Sequence, residues 1–533
     1  MADYAPISIT NHFTHSEKNT DDLFLGGKVC SALGLVTEAY LLLSDKKNNL
    51  FFIRPIDFNI DFEVDESIYA FNYSNGLDLD QISNEIVKQG VFETQLEIEL
   101  RIQFKGQKTP SIVALTHSKS SNNKHLDKII KKKRGEKVLY FSFNVDEEGF
   151  IFLTINCYAK ETATFLQERT SILKFSHPLL LNKNIWMIGG HSPQLESFNT
   201  WSFFEFLQKE HTEIKSYYTL SEDAPHYKDA LEQYGDAILP YKSKDYMTTL
   251  IRSTVLITSG CPQLFYPVNS MAYHHRLKAK KVLLPGSILG VSSHIHTFNQ
   301  SSGQTPVDFI ITHCEEEAEF VNLRMGYEGD RILIAGSSLA DRFLDQDMEI
   351  TEKHSTLMLP HQLRDPVKSN TFSTAAHYLS LVKSKFFKDF IKRYELNPII
   401  ALSSSEFSRF ENDFINENIT TLAQTESNIL DSFYHSMLVI SNNHPMVTTF
   451  ALSGRPIIAY EPWDIDSRQF FERESLPLGE RRHTQKDLLT LLDETAETGF
   501  LSKMSHQLPP EKLIEFRDSQ SNHRIFEILV EQL

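Results

Sequence analysis

Apolar and polar residues alternate over short stretches in the first third of the chain: Leu50–Ile53, Ile68–Tyr73, Gln95–Phe104, Val138–Phe143 and Phe150–Cys157. Polar or turn-forming clusters such as Asp45–Asn49 and Asp146–Gly149 separate them. A period of two with turn punctuation predicts a β-rich module over residues 1–175, in the form of a sandwich. From Asn184 the rhythm changes. Short apolar runs predict strands at Asn184–Gly190, Ile214–Leu220, Ala237–Pro240, Val255–Ser259, Lys281–Leu284, Asp308–Thr312 and Arg331–Gly336. Helical spacing falls between them over Trp201–Glu210, Tyr227–Tyr234 and Lys244–Arg252.

A second series follows the charged, weakly periodic stretch Asp345–Ser355, which reads as a linker. Its strands are expected at Thr356–Leu359, Pro398–Leu402, Met437–Ile440 and Pro456–Tyr460. Helices are expected over Ser373–Tyr394, Asn428–Tyr434 and Met446–Ser453, and the chain closes with helices over Lys486–Asp493 and Ile514–Gln532. Strands alternating with helices signal parallel βαβ units. The predicted class is therefore α/β: a β-rich module followed by two doubly wound, Rossmann-like lobes, 176–345 and 346–533, facing a cleft. In such sheets ligands sit beyond the carboxyl ends of the strands.

Composition narrows the function. A length of 533 residues is too much for one core and implies two or three domains. With 53 Lys+Arg against 70 Asp+Glu the net charge is −17, which argues against a protein that wraps nucleic acid. No run of 18 apolar residues predicts a membrane span, and the polar N-terminus does not read as a secretory signal. Cys30, Cys157, Cys261 and Cys314 are far apart, without a CxxC pair, and read as reduced, buried small hydrophobes. The expected location is cytoplasmic, with at most peripheral contact at the inner face of a membrane. The basic segment His117–Lys137 carries two readings. One is a solvated loop with a short helical turn; the other is a patch that meets anionic lipid headgroups.

Several stretches together resemble the CDP-glycerol glycerophosphotransferase family, the teichoic-acid primases and polymerases of bacterial envelopes. They are NIWMIGG followed by WSFFEFLQK, then VDFIITHCEEEAEFVNLRMGYEGDRILIAGSSLADRFL, then SNILDSFYHSMLVISNNHPMVTTFALSGRPIIAYEPWD, and the closing FRDSQSNHRIFEILVEQL. The resemblance runs from about Asn184 to the end and implies a GT-B-like pair of lobes, acceptor side first and nucleotide-donor side second. It also exposes departures. Where the family has Gln-His-Gly, this chain has Pro285, Gly286 and Ser287, so the expected catalytic histidine is a glycine. A second family histidine falls near Ser403–Ser405. The family's Thr-Asp-Tyr-Ser-Ser turn is Ser441, Asn442, Asn443, His444 and Pro445, and a later aspartate is Thr449. An arginine becomes Leu339, whereas Asp341 and Asp464 are kept, and Arg364 stands one residue from another family arginine.

The reaction that the resemblance implies is attack by a hydroxyl on the β-phosphorus of a CDP-alditol, releasing CMP. It needs a base near the hydroxyl and donors or cations on the phosphate oxygens. His444 is the candidate base, or else only a capping residue. Ser441, Asn442, Asn443, Asp464 and Arg364 are candidates for holding the donor. Pro285–Gly286–Ser287 either cradles phosphate on the acceptor side or is only a tight turn. His274–His275 and His294 with His296 lack partners at metal-site spacing, so no metal is expected, nor any cofactor. Two functions follow. The first is a divergent transferase of cell-envelope or capsular glycopolymer synthesis, taking an alditol phosphate or sugar from a nucleotide donor, CDP-linked by preference, to a glycopolymer or lipid-linked acceptor. The second is a non-catalytic GT-B-fold subunit, a partner or scaffold for an active transferase.

Overall fold

A computed structural model describes the whole chain except residues 1–7, 12–22, 32–35, 46–47, 57, 66–67, 92, 107–109, 116–128, 146–150, 174–184, 191–196, 223, 225, 269–276, 290–299, 301–306, 346–354, 361–373, 443, 445, 463–479, 501–512 and 533. Arg364, Asn443, Pro445, Asp464, the four histidines considered for metal, and most of the expected linker lie outside the described residues. The chain forms two compact units. The first comprises 1–182 together with 242–252 and 263–278; the second comprises 183–241, 253–262 and 279–533.

The first unit is built on two antiparallel sheets. Strands β1 (Ser8–Asn11), β2 (Phe24–Ser31), β5 (Phe58–Asp65) and β6 (Ile68–Gly76) form one, in the order β1-β2-β6-β5. The other contains β3 (Val36–Asp45), β4 (Leu50–Pro55), β7 (Glu93–Phe104), β8 (Ser111–Ala114), β9 (Ile130–Arg134), β10 (Lys137–Val145) and β11 (Ile151–Ala159). Its order is β4-β3-β7-β11-β10-β9, with β8 also on β7. In β7 every second residue is buried, Leu96, Ile98, Leu100, Ile102 and Phe104, as the alternation in sequence requires. These side chains share one core with Leu25 and Tyr73 of the first sheet, with Leu23 just before β2, and with Leu79, Ile82 and Ile86. The last three line the buried face of the helix Leu79–Gln89, an element the alternating pattern around it had concealed.

The basic segment differs from expectation. Its last part, Ile130–Arg134, is neither loop nor helical turn but strand β9, an edge of the larger sheet, paired with Phe141–Lys137 of β10. Lys132 and Arg134 reach Asp80, while Lys131 lies over the Tyr140 ring. Lysines on an edge strand oppose pairing with another chain. The helix Lys244–Arg252, expected in the βαβ series, belongs instead to the first unit. There Lys242 pairs with Glu93 at 2.8 Å, and buried Tyr246 donates its hydroxyl to the Phe265 carbonyl at 2.7 Å.

The second unit holds two parallel sheets. The first has β12 (Ile185–Gly189), β13 (Lys215–Leu220), β14 (Ile238–Pro240), β15 (Val255–Thr258), β16 (Lys280–Leu283), β17 (Phe309–Thr312) and β18 (Ile332–Ile334). Their order is β14-β13-β12-β15-β16-β17-β18. The second has β19 (Ser355–Leu359), β20 (Asn397–Leu402), β21 (Thr420–Ala423), β22 (Ser436–Ser441), β23 (Ile457–Tyr460) and β24 (Glu480–Arg482), in the order β21-β20-β19-β22-β23-β24. Both therefore start at an inner strand, run outward one way, and return to the other side. This is the doubly wound order, with a topological switch point between β12 and β15 and between β19 and β22. The central strands are apolar along their whole length because both faces are covered: all five residues of β12 and of β19 are buried.

Candidate functional site

A doubly wound sheet opens a crevice at its switch point, because adjacent strands there send their connections to opposite faces. In the second lobe that point lies between Leu359 at the end of β19 and Ser441 at the end of β22. Ser441, 1% exposed, donates its hydroxyl to the Leu359 carbonyl at 2.7 Å. The same oxygen accepts the His444 N–H at 3.1 Å. One serine thus ties the two strand ends together and fixes the turn beyond them. Asn442 is fully buried beside it, and His444 is half-buried. The His444 carbonyl accepts Val447 N–H, starting the helix Val447–Ala451. That helix is only five residues long, so its dipole adds little, and polar groups of the turn itself must do any anion binding.

His444 Nδ1 accepts the Met446 N–H at 3.2 Å. A ring whose Nδ1 accepts carries its proton, when neutral, on Nε2. In that tautomer His444 offers a donor rather than a proton acceptor at Nε2. Thr449, in place of a carboxylate, is buried in the same short helix.

Neighbouring strand ends complete the rim. Gln424, directly after β21, donates its amide to the Pro360 carbonyl at 2.6 Å and to Ala401 at 3.0 Å, bracing the ends of β19 and β20. Glu461 follows β23 and is 1% exposed; Arg481 lies 3.7 Å away, and His483 Nδ1 is 2.9 Å from the Glu461 carbonyl. Burial lifts the nearby Tyr460 hydroxyl to about 12 and raises that of Tyr378 well above its ordinary value, so both stay neutral at any working pH. In the stretch Ser403–Ser405, near which the second family histidine is expected, Ser403 stands at the N-cap of the helix Ser404–Ile415. Its carbonyl accepts Phe407 N–H at 2.7 Å, and its hydroxyl reaches Glu406 at 3.4 Å. Glu406 in turn accepts Ala375 N–H at 3.1 Å.

In the first lobe, Pro285–Gly286–Ser287 follows β16, with Pro285 buried and the next two residues half-buried. The turn is pinned by Asn199, a fully buried residue in the first turn of the helix Phe198–Glu210. Asn199 Nδ2 donates to the Pro285 carbonyl at 2.6 Å, while its Oδ1 accepts Leu339 N–H at 2.8 Å and the Ser337 hydroxyl at 3.2 Å. Asp341, kept from the family pattern, works elsewhere. Its Oδ2 accepts the Ser521 N–H at 2.8 Å at the start of the helix Ser521–Gln532. Burial raises its carboxyl above the usual range, only partly offset by that N–H and by the Arg524 charge.

One further strand end carries polar residues that the motif comparison passed over. His313 follows β17, and Glu317 lies one helical turn on, in the helix Glu315–Phe320. Glu317 Oε2 is 2.7 Å from His313 Nδ1 and accepts the His313 N–H at 2.6 Å, while Oε1 accepts Leu289 N–H at 2.5 Å. Cys314 between them is no nucleophile: burial first, then the Glu317 charge, push its thiol up to about 12. Asn199, His313, Gln424 and Glu461 share one signal legible in sequence, a polar residue beside an apolar strand end or helix start in a βαβ series. Among the described residues no group of three or more His, Cys, Asp or Glu could hold a metal ion, and no helix is long and apolar enough to cross a membrane.

No protein-family profile matches the chain, and no curated protein matches it. Solved structures do. A wall teichoic acid polymerase, TagF, is 12% identical, with a TM-score of 0.47 over 70% of this chain and 96% of that one. A TagF variant soaked with CDPG is 13% identical, with a TM-score of 0.46 over 69% of this chain and 94% of that one. The UDP-GlcNAc 2-epimerase of Neisseria meningitidis, bound to UDP-GlcNAc, is 12% identical, with a TM-score of 0.42 over 65% and 99%. The assignment of two Rossmann-like lobes to this chain rests on its own strand orders, β14-β13-β12-β15-β16-β17-β18 and β21-β20-β19-β22-β23-β24.

Proposed function

We propose that the chain is a GT-B-like transferase that binds a nucleotide-activated alditol or sugar, CDP-linked by preference, at the carboxyl edge of its second lobe. It passes the alditol phosphate or sugar to a hydroxyl of a glycopolymer or lipid-linked acceptor in cell-envelope or capsule synthesis. The observation that carries this reading is the Ser441–His444 turn, held at the β19/β22 switch point by the Ser441–Leu359 hydrogen bond. With Nδ1 accepting the Met446 N–H, the His444 ring carries an N–H at Nε2, a group that suits a phosphate oxygen. The sequence resemblance adds Asn443, Asp464 and Arg364 to the donor side, and Pro285–Gly286–Ser287 to the acceptor side.

A second reading, a non-catalytic partner subunit, draws on a specific observation. Both places where the resembled family carries a histidine lie in segments that serve the fold here: Asn199 holds the Pro285 carbonyl next to Gly286, and Ser403 occupies a helix N-cap position, where its carbonyl accepts the Phe407 N–H. Titrating CDP-glycerol and UDP-GlcNAc against the wild type and His444→Ala by calorimetry tests the transferase reading. A hydrogen bond to a charged group contributes about 1.5–3 kcal/mol, so His444→Ala should weaken the preferred donor roughly 10- to 100-fold. Equal affinity in the two proteins removes His444 from the donor site. No heat with any nucleotide at millimolar concentration overturns the reading.

A further inference from the structure

We propose that His313 and Glu317 form the proton-accepting pair of the first lobe, taking the proton of the attacking hydroxyl in place of the side chain that Gly286 lacks. This rests on the transferase reading above and names the group that would activate its acceptor. Glu317 is fully buried, with a hydrogen bond on each oxygen, from the Leu289 N–H, the His313 N–H and the His313 ring. This carboxylate therefore uses both of its oxygens as acceptors. It has no hydrogen-bonding capacity to accept from a neutral ring other than through Nδ1–H, so the imidazole is fixed with its lone pair on Nε2. No described residue hydrogen-bonds that Nε2. The ring itself is 96% buried, since its side chain is 4% exposed.

This is the opposite tautomer from His444, where Nδ1 accepts and the proton sits on Nε2. The two histidines are thereby divided into roles by their backbone and carboxylate partners, one a donor and one an acceptor. The location also fits. His313 stands at the carboxyl end of β17, next to β16, and Glu317 holds the backbone of Leu289, two residues past the Pro285–Gly286–Ser287 turn. The pair is thereby hydrogen-bonded to the backbone that leads out of that turn.

The acceptor hydroxyl gives its proton to His313 Nε2 as its oxygen forms a bond to the β-phosphorus of the nucleoside-diphosphate alditol. The bond from that phosphorus to the bridging oxygen breaks, and the nucleoside monophosphate leaves with the electron pair. Glu317 stabilises the imidazolium through Nδ1, as a positioning residue rather than a catalytic one.

The test follows CMP release from CDP-glycerol by the full chain, with glycerol as the hydroxyl probe and donor binding measured separately by thermal denaturation. His313→Gln should bind CDP-glycerol as the wild type does and release CMP about 100-fold more slowly or worse. Glu317→Gln should lower the rate less and move the acid limb of the pH–rate profile, which a merely structural role would not do. Because Glu317→Gln removes a buried acceptor and can fail to fold, nitrogen NMR of the wild-type histidines gives an independent reading: His313 should show a protonated Nδ1 and a bare Nε2. The opposite tautomer, wild-type rates in His313→Gln, or donor binding without CMP release from the wild type each overturn the base assignment and leave the nucleotide-binding reading standing. Absence of donor binding removes that reading itself.

Discussion

Asn199 Nδ2 lies 2.6 Å from the Pro285 carbonyl, and the same side chain's oxygen holds the backbone of Leu339. A single amide joins the turn after β16 to the start of the helix Ser338–Asp345, two segments 54 residues apart in sequence by their numbers, 339 − 285. Asn199→Ala leaves a carbonyl and an N–H buried without partners. Each such loss costs about 1–3 kcal/mol, so the urea midpoint should fall by an amount equivalent to roughly 2–4 kcal/mol. Asn199→Asp keeps the acceptor for Leu339 but turns the Pro285 contact repulsive, and should be no better. A midpoint unchanged in Asn199→Ala would show that the turn is held by something else.

Gly336 has φ +88°, and a Cβ placed there would stand 2.5 Å from Ser521 Oγ. The glycine thus admits the start of the closing helix, which Arg524 then fastens through the Ala335 carbonyl at 3.1 Å. Gly336→Ala should destabilise the second unit through both the backbone strain, about 1–3 kcal/mol, and the clash. Adding Ser521→Ala should recover the clash but not the strain, a coupling that a double-mutant cycle reads directly. Simple additivity of the two substitutions would contradict this account.

Asp341 gives a pH dependence with a defined sign. Its carboxyl is raised above 3.8 in the folded protein, chiefly by burial, so the folded state holds the proton over a range where the unfolded state has lost it. Its contribution to stability is therefore fully present below the unfolded value and is lost as pH rises through the folded one. Asp341→Asn keeps an acceptor for Ser521 N–H and has no charge to desolvate. Melting curves should show the variant gaining on the wild type as pH rises from 4 towards 7. A constant difference across that range would assign the burial cost to another group.

The parallel sheets were legible because their strands are buried on both faces and need little beyond apolar runs. The strand expected at Val255–Ser259 is Val255–Thr258, and the helix Tyr227–Tyr234 has its expected bounds. Where a local signal competes, the pattern misleads. The expected helix Ser373–Tyr394 is two, Thr374–Lys383 and Lys385–Arg393, because Ser384 stops one and caps the next by accepting Phe387 N–H. Ser404–Ile415 and Thr420–Ala423 escaped notice because serine- and threonine-rich stretches read as loop, although serine at a helix start is a cap. The expected helix over Ile514–Gln532 begins only at Ser521, where Asp341 meets its first N–H. In the site, the turn at Ser441–His444 could be found by its place after an apolar strand. Asn199 and His313 carry the same positional signal, but their partners do not show in it, since bonds such as Asn199 to Pro285 and Leu289 to Glu317 join distant segments and leave no periodicity.

The nucleotide site proposed at the carboxyl edge of the second lobe is open to direct measurement. Thermal denaturation of the full chain with CMP, CDP-glycerol, CDP-ribitol and UDP-sugars tests it most directly. A ligand at about 100 times its dissociation constant adds roughly 2.7 kcal/mol, enough to move the transition by several degrees. A selective rise with one nucleotide class, CDP-linked first, is expected, and His444→Ala should diminish it. Superimposable melting curves with every nucleotide at millimolar concentration would contradict it.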